Sequence, residues 1–84
     1  MTEYEAINII RQSLLHAISK HHEFPSDIIH QTSIMAEECG EAIQAANDVM
    51  WADGDIEKFK EEVAQTGAMA IRILINLDTK ESEK

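Results

Sequence analysis

Three glutamates stand close together in the segment IMAEECGEAIQAANDVMW, residues 34–51, which has a helical pattern throughout. Glu37, Glu38 and Glu41 fall within little more than one helical turn, and like charges three or four residues apart on a helix repel by roughly a few tenths of a kcal/mol per pair. Carboxylate oxygens are the ligands that hard divalent cations prefer. The cluster therefore indicates either a cation site or a solvated acidic helix face.

A further glutamate distinguishes between these two interpretations. Helical positions spaced about 100° apart place Glu62 inside the apolar arc of the next predicted helix, flanked by Met69 and Ile73. A carboxylate that is buried without a partner is very costly in its ionised form and normally becomes neutral. A buried acid that faces other acids is more economically explained by a cation between them.

The helical projection therefore predicts a Mg²⁺ or Mn²⁺ site between two facing helices, formed by Glu38, Glu41 and Glu62. Glu37 points further out and is expected to be solvated. The alternative is an ordinary salt-bridge network in which Lys58 or Arg72 pairs with the acids, which contributes little stability at a surface.

The elements that position these acids form one all-α domain spanning residues 1–84, with no strand alternation and no internal repeat. Pro25 interrupts the first helical pattern, and Ser26 or Asp27 is expected to cap the second helix. Asp55 is expected to cap the third helix after the sequence ADGD. Residues 78–84 are polar, and we expect them to form a frayed tail. The predicted helices cover residues 3–20, residues 27 to about 51, and residues 56 to about 77.

The helical spacing also predicts which side chains form the core. Cys39 belongs to this set as a small apolar residue, since it has no base beside it that would make it a nucleophile. The predicted core residues are Tyr4, Ile7, Ile10, Leu14 and Ile18 in the first helix, Ile28, Met35, Cys39, Ala42, Ala46 and Val49 in the second, and Ile56, Phe59, Val63, Ala70, Ile73, Leu74 and Leu77 in the third.

Length and charge exclude several classes of function. The chain carries 16 acidic and 7 basic residues, a formal charge of −9, so it lacks the cationic clusters that bind nucleic acid polymers. No apolar run approaches the ~20 residues that cross a bilayer, so no membrane association is expected. A single cysteine fits a cytoplasmic location. An 84-residue chain is marginally stable alone, and a metal ion or self-association is the expected remedy.

The two acidic segments together resemble the MazG-type all-α nucleoside triphosphate pyrophosphohydrolases. The family pattern is EExxE on one helix and ExxD on the next. The first half stands here as EECGE, residues 37–41, within AEECGEAIQAAND, and the second stands in EEVAQTGAMAIRIL, residues 61–74. The resemblance covers about residues 28–77. In one departure from the pattern, Gln65 occupies the position of the family aspartate, so that a carbonyl oxygen replaces a charged ligand.

The resemblance implies Mg²⁺-dependent cleavage of the α–β phosphate bond of NTPs or dNTPs to nucleoside monophosphate and pyrophosphate, in nucleotide-pool clean-up. It implies that Glu38, Glu41 and Glu62 bind the cation, with Gln65 as a weaker or water-mediated ligand. Glu37 becomes either a further ligand or the base that orients the attacking water. The family forms dimers or dimers of dimers with a shared four-helix core, which predicts the same kind of oligomer here.

Several other residues are candidates for substrate binding or for a different function. Trp51 could stack on a nucleobase or pack at an interface, and Asp48 could join the site. Arg72 and Asn76 could contact phosphates from the third helix. The four histidines lack the Glu-x-x-His pairing of di-iron bundles, so a transition-metal site is not expected. The competing function is a binding or regulatory module that has lost catalysis through Gln65.

Overall fold

The chain consists of three α-helices. In the computed structural model, which describes the backbone of residues 1–82 and the side chains of residues 1–77, α1 covers Glu3–Lys20, α2 covers Ile28–Trp51 and α3 covers Ile56–Ser82. The described residues contain no strand, as predicted. No helix in this part of the chain is both long enough and apolar enough to cross a membrane.

The helices begin where the sequence supplies caps. Asp27 Oδ1 accepts from the amide of Ile29 at 3.0 Å, and Asp55 Oδ1 accepts from the amide of Glu57 at 2.9 Å, so both predicted acidic caps are confirmed. At α1, Thr2 and Glu5 form a capping box, which was not predicted.

The end of α3 differs from the prediction. The helix continues to Ser82, five residues beyond the expected end at residue 77, because neither glycine nor proline follows Gly67 to interrupt it. The side chains of the predicted frayed tail, residues 78–84, lie outside the described part of the chain, as does the backbone of residues 83 and 84.

Helix α3 lies at the centre of the fold and packs against both other helices. Contacts between α1 and α3 advance along both segments in the same direction, from Ile10 beside Gly67 to His21 beside Arg72, so α1 and α3 run parallel. The turn at residues 52–55 reverses the chain, so α2 runs antiparallel to α3. The close approach of Ile10 depends on Gly67, where a Cβ atom would lie 3.1 Å from Ile10 Cδ1.

The loop between α1 and α2 is held by two buried polar side chains. Gln31 Nε2 donates to the carbonyl of Pro25 at 2.6 Å, and Arg72 Nη2 donates to the carbonyl of His21 at 2.6 Å. The Arg72 guanidinium also lies 4.5 Å from the centre of the Phe24 ring. Arg72 thus fixes the loop to the central helix.

The predicted core faces are only partly correct. Within the single chain the buried set is small, and it shifts around α3 relative to the prediction because α3 faces two neighbours at once. Cys39, predicted in the core, is exposed because its side of α2 has no neighbouring helix. Ile28 and most of the predicted α3 face are exposed too, while the buried residues are Leu14, Gln31, Ala45, Glu62, Ala64, Ala68, Met69 and Arg72.

A large apolar surface is left open by this arrangement. The radius of gyration is 14.2 Å, against about 12 Å for a compact domain of this length. The accessible surface is 6318 Å², whereas about 5,000 Å² is expected for a compact monomer of this mass. On α3, Val63 and Leu74 are exposed by 45% and 62%. The three helices therefore leave part of their apolar stripes without a neighbour.

The turn between α2 and α3 tolerates no side chain at Gly54. Its amide donates to the carbonyl of Asp48 at 2.8 Å, and the preceding residue, Asp53, has a φ of 54°. A Cβ atom on Gly54 would lie 2.7 Å from the backbone carbon of Asp48. Because the added Cβ would meet backbone atoms of Asp48 and Val49, no change of side-chain rotamer could remove the overlap.

Two glycine substitutions are expected to change stability in opposite directions. Gly54→Ala should lower the free energy of unfolding by about 1–3 kcal/mol, since the new methyl group overlaps the end of α2. Gly40→Ala, inside α2 with nothing within 4 Å of the added Cβ, should raise it by about 0.5–1 kcal/mol. Urea denaturation monitored by circular dichroism measures both, and equal effects of the two variants would contradict this account of the turn.

Candidate metal centre

Three glutamates from two antiparallel helices converge near the middle of the chain. Glu38 and Glu41 are one turn apart on α2, and Glu62 lies opposite them on α3. Each places a carboxylate oxygen so that the three oxygens lie within 4.8 Å of one another. The convergence predicted from the helical projection is thus present in the structure.

The buried member of this group is Glu62. It is 4% exposed, and its Oε1 atom accepts from Nζ of Lys58 at 2.8 Å. Its Oε2 atom is buried and has no hydrogen-bond donor, and the same is true of Oε2 of Glu38. An ionised carboxylate oxygen that is buried without a donor costs roughly several kcal/mol of folding free energy. Either a proton or a cation between the carboxylates removes this cost.

The pKa values of the group reflect this crowding. The pKa of Glu38 is raised above its ordinary value of 4.5, mainly by burial and to a smaller extent by repulsion from Glu41 and Glu62. The pKa of Glu41 is raised mainly by a hydrogen bond with the Glu62 carboxylate and next by repulsion from the charge of Glu62. The hydrogen bond from Lys58 lowers the pKa of Glu62. In the absence of a cation, burial and mutual repulsion therefore make ionisation of Glu38 and Glu41 less favourable than in water.

Lys58 forms part of the alternative network considered from the sequence. It pairs with Glu62 four residues away, while its own side chain is 61% exposed. One exposed ammonium group leaves two buried carboxylate oxygens unsatisfied, so this pair compensates the cluster only in part. Arg72, the other cation considered, donates to backbone carbonyls instead.

A pocket of about 330 Å³ adjoins the cluster between α2, α3 and the loop that follows α1. Glu38 belongs to both the cluster and the pocket. Arg72 lies in the pocket wall, 5% exposed, and burial lowers the pKa of its guanidinium. The lining includes Phe24, Pro25, Ile34, Glu38, Met69 and Arg72.

Gln65, predicted as a fourth ligand, makes its contacts toward α1. Its Nε2 atom donates to Oε1 of Glu61 at 3.5 Å, and its side chain lines a different pocket together with Ser13 and His16. The hydrogen bond that the Gln65 amide donates is thus to Glu61 and not to one of the three carboxylates of the group.

The remaining candidates lie at varying distances from the cluster. Glu37 is exposed, and its charge raises the pKa of Glu38. Trp51 is 80% exposed at the end of α2, about 20 Å along the helix from Glu38 at 1.5 Å per residue. Asp48 lies about 10 Å from Glu41 on the same scale and accepts the bonds of the turn. Asn76 donates to the carbonyl of Arg72.

The sequence reasoning missed the pocket and the buried position of Arg72. The residues that build this feature are far apart in the chain, since His21 and Arg72 are separated by 51 positions. The spacing gives no clear hint either, because Arg72 falls ten residues after Glu62 and hence about 80° away from it around α3.

Comparisons with known protein families, with curated proteins and with solved structures give no match to this chain. The resemblance to the MazG-type enzymes thus remains a prediction from the motif.

Divalent cations are expected to stabilise the fold, and more strongly as the pH rises. Because the folded-state pKa values of Glu38 and Glu41 are raised, their ionisation destabilises the metal-free protein as the pH rises above 4.5, and the cation must displace their protons. At one hundred times its Kd, Mg²⁺ should add about 2.7 kcal/mol. Melting curves with and without MgCl₂ between about pH 5 and pH 8 measure this.

The control for this experiment is NaCl at matched ionic strength, since salt alone screens repulsion. Glu62→Gln should remove the Mg²⁺-dependent shift, while Glu57→Gln, which changes an exposed acid on the same helix, should keep it. A shift of equal size with NaCl would show that the acids are merely screened.

Proposed function

We propose that this protein is a Mg²⁺-dependent nucleoside triphosphate pyrophosphohydrolase that cleaves the α–β phosphate bond of NTPs or dNTPs. One observation carries the proposal: the buried Glu62 carboxylate, with an oxygen that lacks a donor, converges with Glu38 and Glu41. The EECGE segment and the glutamate on the following helix are also the motif of the family that this chain resembles.

The chemistry of these residues fits the proposed reaction. A bound divalent cation would neutralise the triphosphate and make the α-phosphorus more electrophilic. Glu38, Glu41 and Glu62 would hold that cation, and Glu37, exposed beside Glu38, would take the proton of the attacking water. The water oxygen forms a bond to the α-phosphorus, and the bridging oxygen leaves with pyrophosphate.

The proposal includes self-association. The open apolar surface on α3, including Val63 and Leu74, exceeds what one chain covers, and a second copy placing its own helices there would complete a four-helix core. Residues that are exposed in one chain, such as Cys39, would then gain neighbours from the partner.

A competing function is favoured by the position of Gln65. Because its amide donates to Glu61, the cation would be held by three carboxylates without the fourth family ligand. The chain would then retain the scaffold and bind a nucleotide or regulate a partner without turnover.

Hydrolysis of a panel of canonical and modified NTPs and dNTPs tests the proposal. Pyrophosphate and monophosphate should be released with Mg²⁺, more weakly or comparably with Mn²⁺, and not with EDTA. Glu38→Gln should abolish release, because it removes a ligand. Glu37→Gln should lower kcat by about 100-fold or more while Mg²⁺ still raises the melting temperature, as expected for loss of a general base.

Glu57→Gln is the charge-matched control, and it should retain wild-type activity. No release from any nucleotide, in a folded protein, would support the binding module instead. In that case Gln65→Asp should create metal-dependent turnover, since it restores the charge that the family places there. If Gln65→Asp is also inactive, the resemblance to the family does not indicate nucleotide hydrolysis by this protein.

An oligomer is expected in solution, and Leu74→Glu should dissociate it. Leu74 is 62% exposed in the single chain, so a charge there is harmless in a monomer but costly in an apolar interface. Light scattering after size exclusion measures the mass, and Leu74→Met, which keeps volume and polarity, should leave it unchanged. A wild-type mass of about 9.5 kDa would contradict the expectation.

A further inference from the structure

Arg72 is a buried cation with no carboxylate partner in the described part of the chain. Its guanidinium is held in place by the His21 carbonyl at 2.6 Å and by the ring of Phe24 at 4.5 Å. Among the described residues, the ion pairs of the fold involve Lys58 and Lys60 instead. A guanidinium stays charged at neutral pH even when it is buried, so Arg72 brings an uncompensated positive charge into the pocket wall.

The pocket at Arg72 has two chemically different parts. Phe24, Ile34 and Met69 supply apolar surface, while Arg72 supplies positive charge and two acidic residues, Glu23 and Glu38, also line the pocket. Its volume of about 330 Å³ lies at the lower end of the range for small-molecule sites. Since Glu38 also belongs to the metal centre, a ligand in this pocket would have its charged end beside any bound cation.

We infer that this pocket receives the nucleotide, with the Arg72 guanidinium contacting a substrate phosphate and with Phe24, Ile34 and Met69 contacting the nucleoside. The identification of the ligand as a nucleotide rests on the proposed function. A planar guanidinium donates two parallel hydrogen bonds to phosphate, and its contact with Phe24 orients it before the ligand arrives. The pocket takes the place of Trp51 as the expected nucleobase site, since Trp51 lies at the end of α2, about 20 Å along the helix from Glu38.

The arrangement also explains how an acidic site binds an anion. The phosphates would lie between the cation held by the three glutamates and the positive charge of Arg72. A positive charge on each side would then offset the repulsion from the carboxylates. The loop carbonyl groups that accept from Arg72 would fix the side chain in this position, which makes the loop a part of the binding site.

Binding measurements that require no turnover test the inference. Calorimetry in MgCl₂ compares the common nucleosides with their 5′-monophosphates, using wild type, Arg72→Lys and Arg72→Met. Arg72→Met should weaken monophosphate binding by about 10- to 100-fold, the effect of a lost hydrogen bond to a charged group, and should change nucleoside binding by less than about threefold. Arg72→Lys should fall between the two, since it keeps the charge but loses the planar fork.

A purely structural role for Arg72 gives a different result. If Arg72 only anchors the loop, both ligand types lose affinity by the same factor, and this outcome overturns the inference. Absence of monophosphate binding to wild type overturns it too. A protein that hydrolyses no triphosphate, yet binds monophosphates through Arg72, fails the proposed function alone.

A second variant keeps the test decisive if Arg72→Met does not fold. Ile34→Trp fills the pocket from α2 and should block both nucleosides and monophosphates, while Ile29→Trp, 74% exposed on the same helix, should bind as wild type does. Wild-type affinity in Ile34→Trp, or loss of affinity in Trp51→Ala alone, would place the nucleotide elsewhere.

Discussion

The Glu62 carboxylate is the constraint on which the centre of the molecule depends. It is carried by α3, the one helix that contacts both others, and it is 4% exposed. Lys58 satisfies one of its oxygens and leaves the other without a donor. Because a buried charge must be neutralised, hydrogen-bonded or metal-bound, the position of α2 against α3 and the charge state of the group are coupled. Any ligand that supplies positive charge here also joins the two helices.

The central position of α3 explains both the packing and its incompleteness. Small residues on α3, Ala64, Gly67 and Ala68, allow α1 to approach closely, so few large side chains become fully buried. The larger apolar side chains of α3 are directed to the remaining sides of the helix, where one chain has no fourth helix to cover them. A small chain whose core is this limited would gain stability either from a partner on the open apolar face or from a cation bound by the three glutamates.

The sequence predicted local features well and the relative rotation of the helices poorly. Caps at Asp27 and Asp55 depend only on neighbouring residues, so both were predictable. The convergence of the three glutamates was predictable because it follows from one face of each of two adjacent helices. The exposure of Cys39 was not, since it depends on where α1 packs against α3. The hydrogen bond from Gln65 to Glu61 was not predicted either, since it lies on the side of α3 that faces α1.

The overall charge of the molecule and the charges at the pocket act differently on a phosphate ligand. The chain has a formal charge of −9, and its general field repels phosphate. The charged residues that line the pocket are Arg72, whose burial strengthens its field, Glu23, and Glu38, whose negative charge a bound cation would cancel. Under the proposed function, an anion would therefore bind only when a cation is present. Without Arg72, the cation alone would offset the repulsion between a phosphate and the surrounding acidic residues.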